Sequence, residues 1–98
     1  MRFTWHDGKA QRNKRKHGLD FTLVDKIFAD PFLVTRFDRV VNGEERWHAF
    51  GAISVGGFFK VFLVVYCCPN PEDEDHVQII SLRLATNQER REYEDPRS

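Results

Sequence analysis

Two arginines on separate parts of the chain carry the clearest chemistry in the sequence. Arg83 shares one side of an otherwise apolar segment with Ser81, and Arg46 follows two acidic residues, Glu44 and Glu45. If the strands align, Glu45, Arg46 and Arg83 converge. A guanidinium group stays protonated and forks onto the oxygens of a phosphate or a carboxylate. The pattern leaves two interpretations open, a phosphate-binding cleft or a structural ion pair between Glu45 and either arginine.

The first 18 residues form a basic segment in which six lysines and arginines oppose one acid, Asp7. At helical spacing this segment aligns Lys9, Asn13, Lys16 and His17, with Ala10 as the sole apolar member. Packing alone does not explain such a helix, so the pattern indicates either a polyanion or an acidic or amphipathic protein partner. A structural alternative is that Lys16 and His17 complement the helix dipole in its last turn. Asn13 is expected to hydrogen-bond a loop.

The last helical segment is also polar. Glu89 fits a capping box, and Arg90 can pair with Glu94 four residues later. Arg91 and Tyr93 have no such structural explanation. Elsewhere the candidate metal ligands show no paired spacing of the zinc type, so no metal site is predicted; these candidates are His17, His48, His76, Cys67 and Cys68.

Length and composition limit the class of protein. The chain has 98 residues, which is enough for a single domain spanning residues 1–98. Fifteen Lys and Arg balance fifteen Asp and Glu, so attraction to a polyanion must come from local patches. The longest apolar run, Val61 to Cys68, is far shorter than the roughly 20 residues that cross a bilayer. With no secretory signal pattern either, we expect a cytoplasmic protein without membrane contact.

Periodicity and turn signals predict an α+β fold with an antiparallel sheet, two N-terminal helices and a C-terminal helix. Asp7 is expected to cap the first helix and Gly18 to end it, and Asp20 to cap the second. The expected strands are 2–5, 32–37, 46–54, 58–67 and 77–84, and the expected helices are 8–17, 21–28 and 87–94. Strict alternation in the last strand groups Val77, Ile79, Ser81 and Arg83 on one face, and Gln78, Ile80, Leu82 and Leu84 on the other.

The order and spacing of several motifs resemble the BrnT family of toxins across nearly the whole chain. The matching motifs are Trp5-x3-Lys9-Ala10-x2-Asn13-x2-Lys16-His17-Gly18, Phe28-x-Asp30-Pro31, Gly43-Glu44-x-Arg46, Val64-Val65-Tyr66 and Ile80-Ser81-x-Arg83-x-Ala85-Thr86-x2-Glu89-Arg90-Arg91-x-Tyr93.

The resemblance implies a RelE-like fold and the toxin role in a type II toxin-antitoxin system. Such a toxin is a metal-independent endoribonuclease of the mRNA interferase type, which needs no cofactor and inhibits growth. Its expected partners are RNA and a ribbon-helix-helix antitoxin similar to BrnA, with operator DNA reached only through the antitoxin complex.

Metal-free RNA cleavage uses the 2′-hydroxyl as nucleophile and needs a base, an acid and cations for the phosphorane charge. Arg83 and Arg46 suit the cationic role, and the imidazole of His17 suits the role of acid or base. The full set of predicted catalytic residues is Arg46, Arg83, His17, Lys16, Glu45 and Tyr93, and the predicted RNA contacts are Lys9, Arg12, Arg90 and Arg91.

Three departures from the family pattern favour a second interpretation. His6 replaces an acid, Leu84 replaces a lysine, and the connection 67–76 is long and acidic. The alternative is a catalytically weak or inactive binding protein that acts mainly through its antitoxin and operator complex. A third possibility, direct DNA binding by the basic helix, predicts duplex affinity that falls steeply with salt.

Overall fold

The structure, a computed structural model, describes residues 1–95. Within them the chain is α+β, with a five-stranded sheet and three α-helices. The α+β class expected from the sequence is confirmed, whereas the expected second helix, 21–28, is a 3₁₀ turn followed by a five-residue α-helix. The elements in chain order are β1 (Arg2–Thr4), α1 (Asp7–His17), a 3₁₀ turn (Phe21–Leu23), α2 (Val24–Phe28), β2 (Val34–Val41), β3 (Glu44–Val55), β4 (Phe58–Cys67), β5 (His76–Leu84) and α3 (Asn87–Glu94).

Local turn and capping signals determine most element ends. Gly18 ends α1 in the left-handed conformation at φ 70°, as predicted. The turn between β2 and β3 uses Asn42 and Gly43, both at positive φ. Asp20 accepts a hydrogen bond from the Thr22 backbone and caps the 3₁₀ turn. The prediction for the start of α1 was wrong by one residue, because His6 occupies the cap position and Asp7 is the first helical residue.

The strand order is β1-β5-β4-β3-β2. The pairs from β2 to β5 are antiparallel, but β1 joins β5 in parallel. The expectation of a purely antiparallel sheet is therefore wrong at this edge. Among residues 1–95, β1 pairs with β5 only over His76 to Gln78. The second half of β5, from Ile80 to Leu84, consequently has an open edge.

The sheet has a hydrophobic cluster on each face. The larger one lies under α1, the 3₁₀ turn and α2, and contains Phe21, Val24, Ile27, Ala49, Ile53, Phe62, Val64, Tyr66, Val77, Ile79 and Leu82. A smaller cluster on the opposite face contains Phe50, Val61 and Leu63 and packs against Tyr93 of α3. Burial of these apolar side chains is the main driving force for the fold.

A β-bulge in β5 overturns the face assignment made from strict alternation. Val65 pairs with Ser81, whereas the next residue of β4, Tyr66, pairs with Ile79, so Ile80 is an extra residue. The extra residue shifts the alternation, and Leu82 joins Val77 and Ile79 in the larger cluster. Ser81 and Arg83 share a face as predicted, but it is the face covered by α3.

No helix in the described part of the chain has the length and apolar character needed to span a membrane.

Candidate functional site

A cavity of about 500 Å³ lies between α1 and the open edge of β5. Its lining residues are Lys9, Arg12, Asn13, Lys16, His17, Ile80, Ser81 and Arg83. Five of the residues predicted to act on RNA therefore border one space. No acidic residue of the described part of the chain lines this cavity, so its charge favours an anion.

Asn13 explains why the basic stripe of α1 faces β5. This side chain is 6% exposed, and its Oδ1 accepts a hydrogen bond of 3.0 Å from the backbone N–H of Leu82. Its Nδ2 donates to the carbonyl of Leu19, at 3.4 Å, in the loop after α1. The loop contact confirms the prediction for Asn13, and the sheet contact adds an anchor that fixes Lys9 and Lys16 one turn away on either side.

Arg83 lines the cavity while it binds a carboxylate. Its two terminal nitrogens donate to Oε1 and Oε2 of Glu89, at 2.7 Å and 2.9 Å, and one of them also donates to the carbonyl of Leu84. This pairing lowers the pKa of Glu89 to about 2, and it raises the pKa of Arg83. In this two-bond pairing, which we call the Arg83–Glu89 fork, the Nε–H of Arg83 does not donate to Glu89.

Arg46 lies on the same sheet face as Arg83 but does not line the cavity. Across the sheet Arg83 aligns with Leu63 and Phe50, which is four residues from Arg46. The two backbone positions are therefore about 13 Å apart along the strands and about 10 Å apart across them. The Nε of Arg46 lies 3.3 Å from Oε1 of Glu44.

The predicted convergence of Glu45, Arg46 and Arg83 in one cleft is not found. Glu45 pairs with Val40 and is adjacent to Arg46 in β3, so the two side chains leave opposite faces of the sheet. The alternative interpretation, a structural ion pair, holds for both arginines, but the predicted carboxylate, Glu45, was wrong. Arg46 pairs with Glu44, and Arg83 pairs with Glu89.

The predicted residues of α3 lie away from the cavity. The hydroxyl of Tyr93 donates a short hydrogen bond to the carboxylate of Asp30, and desolvation together with this carboxylate raises the pKa of Tyr93. Arg90 pairs with Glu94 at 3.8 Å, which confirms the expected contact along the helix. Arg91 is exposed on α3.

An imidazole and carboxylate pair was not foreseen. Asp38 is the extra residue of a second bulge, in β2, and its Oδ2 lies 3.4 Å from Nε2 of His48. His48 Nδ1 and Arg46 Nε are buried side-chain atoms without a hydrogen-bond partner in residues 1–95. The spacing of Arg46 and His48 placed both on one face, but the sequence gives no glycine or proline signal for the bulge that brings Asp38 to them.

Metal ligands do not cluster in the described residues. No group of three or more His, Cys, Asp or Glu side chains between residues 1 and 95 could hold a metal ion together.

A family model described as the ribonuclease toxin BrnT of type II toxin-antitoxin systems matches residues 5–89. The matched range contains every residue that lines the cavity and ends before Arg90, Arg91 and Tyr93. A comparison with curated proteins finds no match to this chain.

Proposed function

The chain belongs to the BrnT family of ribonuclease toxins of type II toxin-antitoxin systems, and from this premise we propose that it cleaves RNA without a metal ion and inhibits growth. Family membership implies a cognate antitoxin and an RNA substrate. Our proposal is more specific, since it takes the fold as RelE-like, the activity as an mRNA interferase, the location as the cytoplasm, and the antitoxin as a BrnA-like ribbon-helix-helix protein that alone contacts operator DNA.

The observation that carries this proposal is the basic cavity between α1 and β5. Lys9, Arg12 and Lys16 come from successive turns of one helix face and border the same space as Arg83. Cations in such a row can contact phosphates along a nucleic acid backbone and release its counterions. We therefore place the RNA backbone along α1, with the scissile phosphate beside Arg83.

The chemistry proposed for this cavity is attack by the 2′-hydroxyl on the adjacent phosphorus. The O2′–P bond forms, the P–O5′ bond breaks, and the products are a 2′,3′-cyclic phosphate and a 5′-hydroxyl. The guanidinium of Arg83 stabilises the phosphorane charge. The 2′-hydroxyl gives up a proton and the leaving 5′ oxygen takes one up; we assign these two transfers to His17 and Lys16, which both border the cavity.

The remaining predicted residues receive weaker roles. We propose Arg46 as a contact for a more distant part of the RNA, because it shares a sheet face with Arg83 but lies outside the cavity. Arg90 and Arg91 are proposed as flanking RNA contacts on α3. Glu45 and Tyr93 lie away from the cavity, and we assign them no chemical step.

The test is cleavage of RNA by the purified chain in excess EDTA, with product ends identified by mass spectrometry. We expect cyclic phosphate ends, and no cleavage of a substrate with a 2′-deoxy sugar at the scissile position. Lys16→Ala should reduce cleavage by about 10-fold or more, since general acid-base and phosphate contacts contribute at this level. Arg15→Ala is the matched control, because Arg15 is exposed on α1 and does not line the cavity.

Activity that returns only on adding a metal ion would contradict the proposal, and so would an equal loss in the Lys16 and Arg15 variants. The second candidate function is a weak or inactive binding protein. It is favoured by one observation, that both Arg46 and Arg83 already face carboxylates. Expression of the chain without growth arrest, together with intact antitoxin binding, would support this alternative.

A further inference from the structure

Two of the most exposed aromatic side chains border an apolar groove outside the basic cavity. Phe32 is 75% exposed and Phe59 is 81% exposed. The groove has a volume of about 590 Å³, and its lining residues are Lys26, Ala29, Asp30, Pro31, Phe32, Ala52, Ile53, Ser54, Phe59 and Tyr93. Large exposed apolar surface of this kind typically marks a site of association with another molecule.

The groove adjoins a second cavity of about 500 Å³. Phe32 and Tyr93 border both spaces, and the second is completed by Leu33, Val34 and Glu94. Two adjacent apolar cavities that share lining residues can accommodate successive apolar side chains of an amphipathic helix, which recur at i, i+3 or i+4, and i+7.

Asp30 holds the parts of this groove together. Its Oδ1 accepts from the backbone N–H of Phe32, and its Oδ2 accepts from the N–H of Ala52, each at 2.8 Å. The same carboxylate accepts the hydroxyl of Tyr93. One side chain therefore ties the turn, β3 and α3, so the groove is formed in advance. A preformed site lowers the ordering cost of binding.

We propose that this groove is the docking site for an amphipathic helix of the cognate antitoxin. The proposal relies on the toxin role for the existence of a protein partner, and it adds the surface and the chemistry of that partner. An RNA occupant is disfavoured because Lys26 is the sole basic residue among the described lining residues, whereas the cavity along α1 has four.

Charge at the two ends of the groove specifies the partner further. Lys26 lies at the end near α2, and Glu94 lies at the end near the second cavity. The docking helix should therefore carry an acidic residue at one end of its apolar stripe and a basic residue at the other.

Binding of the antitoxin to variants of the full chain tests the proposal by isothermal titration calorimetry. The antitoxin used is the purified partner protein that forms a stable complex with the unchanged chain, so its choice does not depend on RNA cleavage or growth arrest. Phe59→Ala and Phe32→Ala should each weaken binding by about 30-fold or more, as expected for a central aromatic contact. Both side chains are largely exposed, so neither substitution threatens the fold.

Phe58→Ala is the matched control. Phe58 is 73% exposed and adjacent to Phe59, but it pairs with Val55 whereas Phe59 pairs with Ser54, so the two rings leave opposite faces of the sheet. We expect this variant to bind within about 3-fold of the unchanged chain, because contacts outside the buried centre of an interface contribute little.

A photo-crosslinking phenylalanine analogue at position 59 or position 58 identifies the occupant directly. Crosslinking to the antitoxin from position 59 alone supports the proposal. Crosslinking between two copies of the chain, equal yields at both positions, or unchanged affinity after Phe59→Ala each overturn it. The RNA cleavage assay tests the proposed nuclease separately from the docking site. If the unchanged chain does not cleave RNA, but binds the antitoxin and loses this binding on Phe59→Ala, the nuclease proposal is contradicted and the docking site is supported.

Discussion

The fork between Arg83 and Glu89 should make the stability of the protein depend on acidic pH. Glu89 accepts two hydrogen bonds from Arg83 and one of 2.8 Å from the backbone N–H of Thr86. These contacts favour the ionised carboxylate in the folded chain and hold its pKa at about 2, below the ordinary value of 4.5. The stabilisation is therefore fully present above pH 4.5 and is lost as the pH falls toward 2.

The magnitude follows from the two pKa values. Their difference corresponds to at most about 3 kcal/mol of unfolding free energy. The side chain of Arg83 is 34% exposed and that of Glu89 is 17% exposed, so solvent screens part of this attraction. We expect Glu89→Gln to lower the free energy of unfolding by about 1 to 2 kcal/mol at pH 7, or roughly 4–8 °C in Tm for each kcal/mol.

Urea denaturation of the Glu89→Gln variant and the unchanged chain, followed by circular dichroism between pH 7 and pH 2.5, measures this difference. The gap should narrow below pH 4.5, because the unfolded state of the unchanged chain then takes up a proton at Glu89 that the folded state takes up only near pH 2, while glutamine does not titrate. Glu94→Gln is the control on the same helix, and its weak contact with Arg90 should contribute at most about 0.5 kcal/mol. A gap that stays constant with pH, or that equals the control, would refute the reasoning.

Two further substitutions test packing at the site and beneath it. Asn13→Ala leaves the buried N–H of Leu82 without its acceptor and should destabilise the fold by about 1–3 kcal/mol in urea denaturation, whereas unchanged stability would contradict the anchoring role. Gly51→Ala places a Cβ 2.6 Å from the carbonyl oxygen of Ile27 and should lower the free energy of unfolding by about 1–3 kcal/mol in thermal unfolding. Its control is Gly8→Ala, which meets open space and should raise the free energy of unfolding by about 0.5–1 kcal/mol. Equal effects of the two substitutions would contradict the close approach at Gly51.

Features with a local cause could be predicted from the sequence. Gly18 ends α1 and the Asn42-Gly43 pair forms the hairpin turn because each needs only a left-handed backbone at that residue. The capping box between Thr86 and Glu89 likewise involves hydrogen bonds three residues apart. Such signals determine where elements end, and they were enough for the α+β class.

Features that depend on distant residues could not be predicted. The bulges at Asp38 and Ile80 have no glycine or proline signal, and each shifts the alternation that the sequence pattern assumes. The parallel pairing of β1 with β5 joins residues about seventy positions apart, and a three-residue strand carries too little pattern to select its neighbour.

The candidate site also combines features with a local cause, which could be predicted, and features that depend on packing between elements, which could not. The helical spacing of Lys9, Lys16 and His17 correctly put them along one side of α1, because 3.6 residues per turn is a local property. The choice between Glu45 and Glu89 as the partner of Arg83 depended on how α3 packs against the sheet. Glu89 already had a local explanation in the capping box, which concealed its second role.

This second role affects how any loss of activity in an Arg83 variant should be interpreted. Arg83 both lines the cavity and binds Glu89 of α3, so Arg83→Ala removes a phosphate ligand and leaves a partly buried carboxylate without its partner. Lost activity could then follow from unfolding alone. Glu89→Gln separates the two effects, because it weakens the same fork and leaves the guanidinium free. If Arg83 acts on phosphate, cleavage per folded molecule should be retained or increased in this variant, whereas Arg83→Ala at matched folded fraction should abolish it.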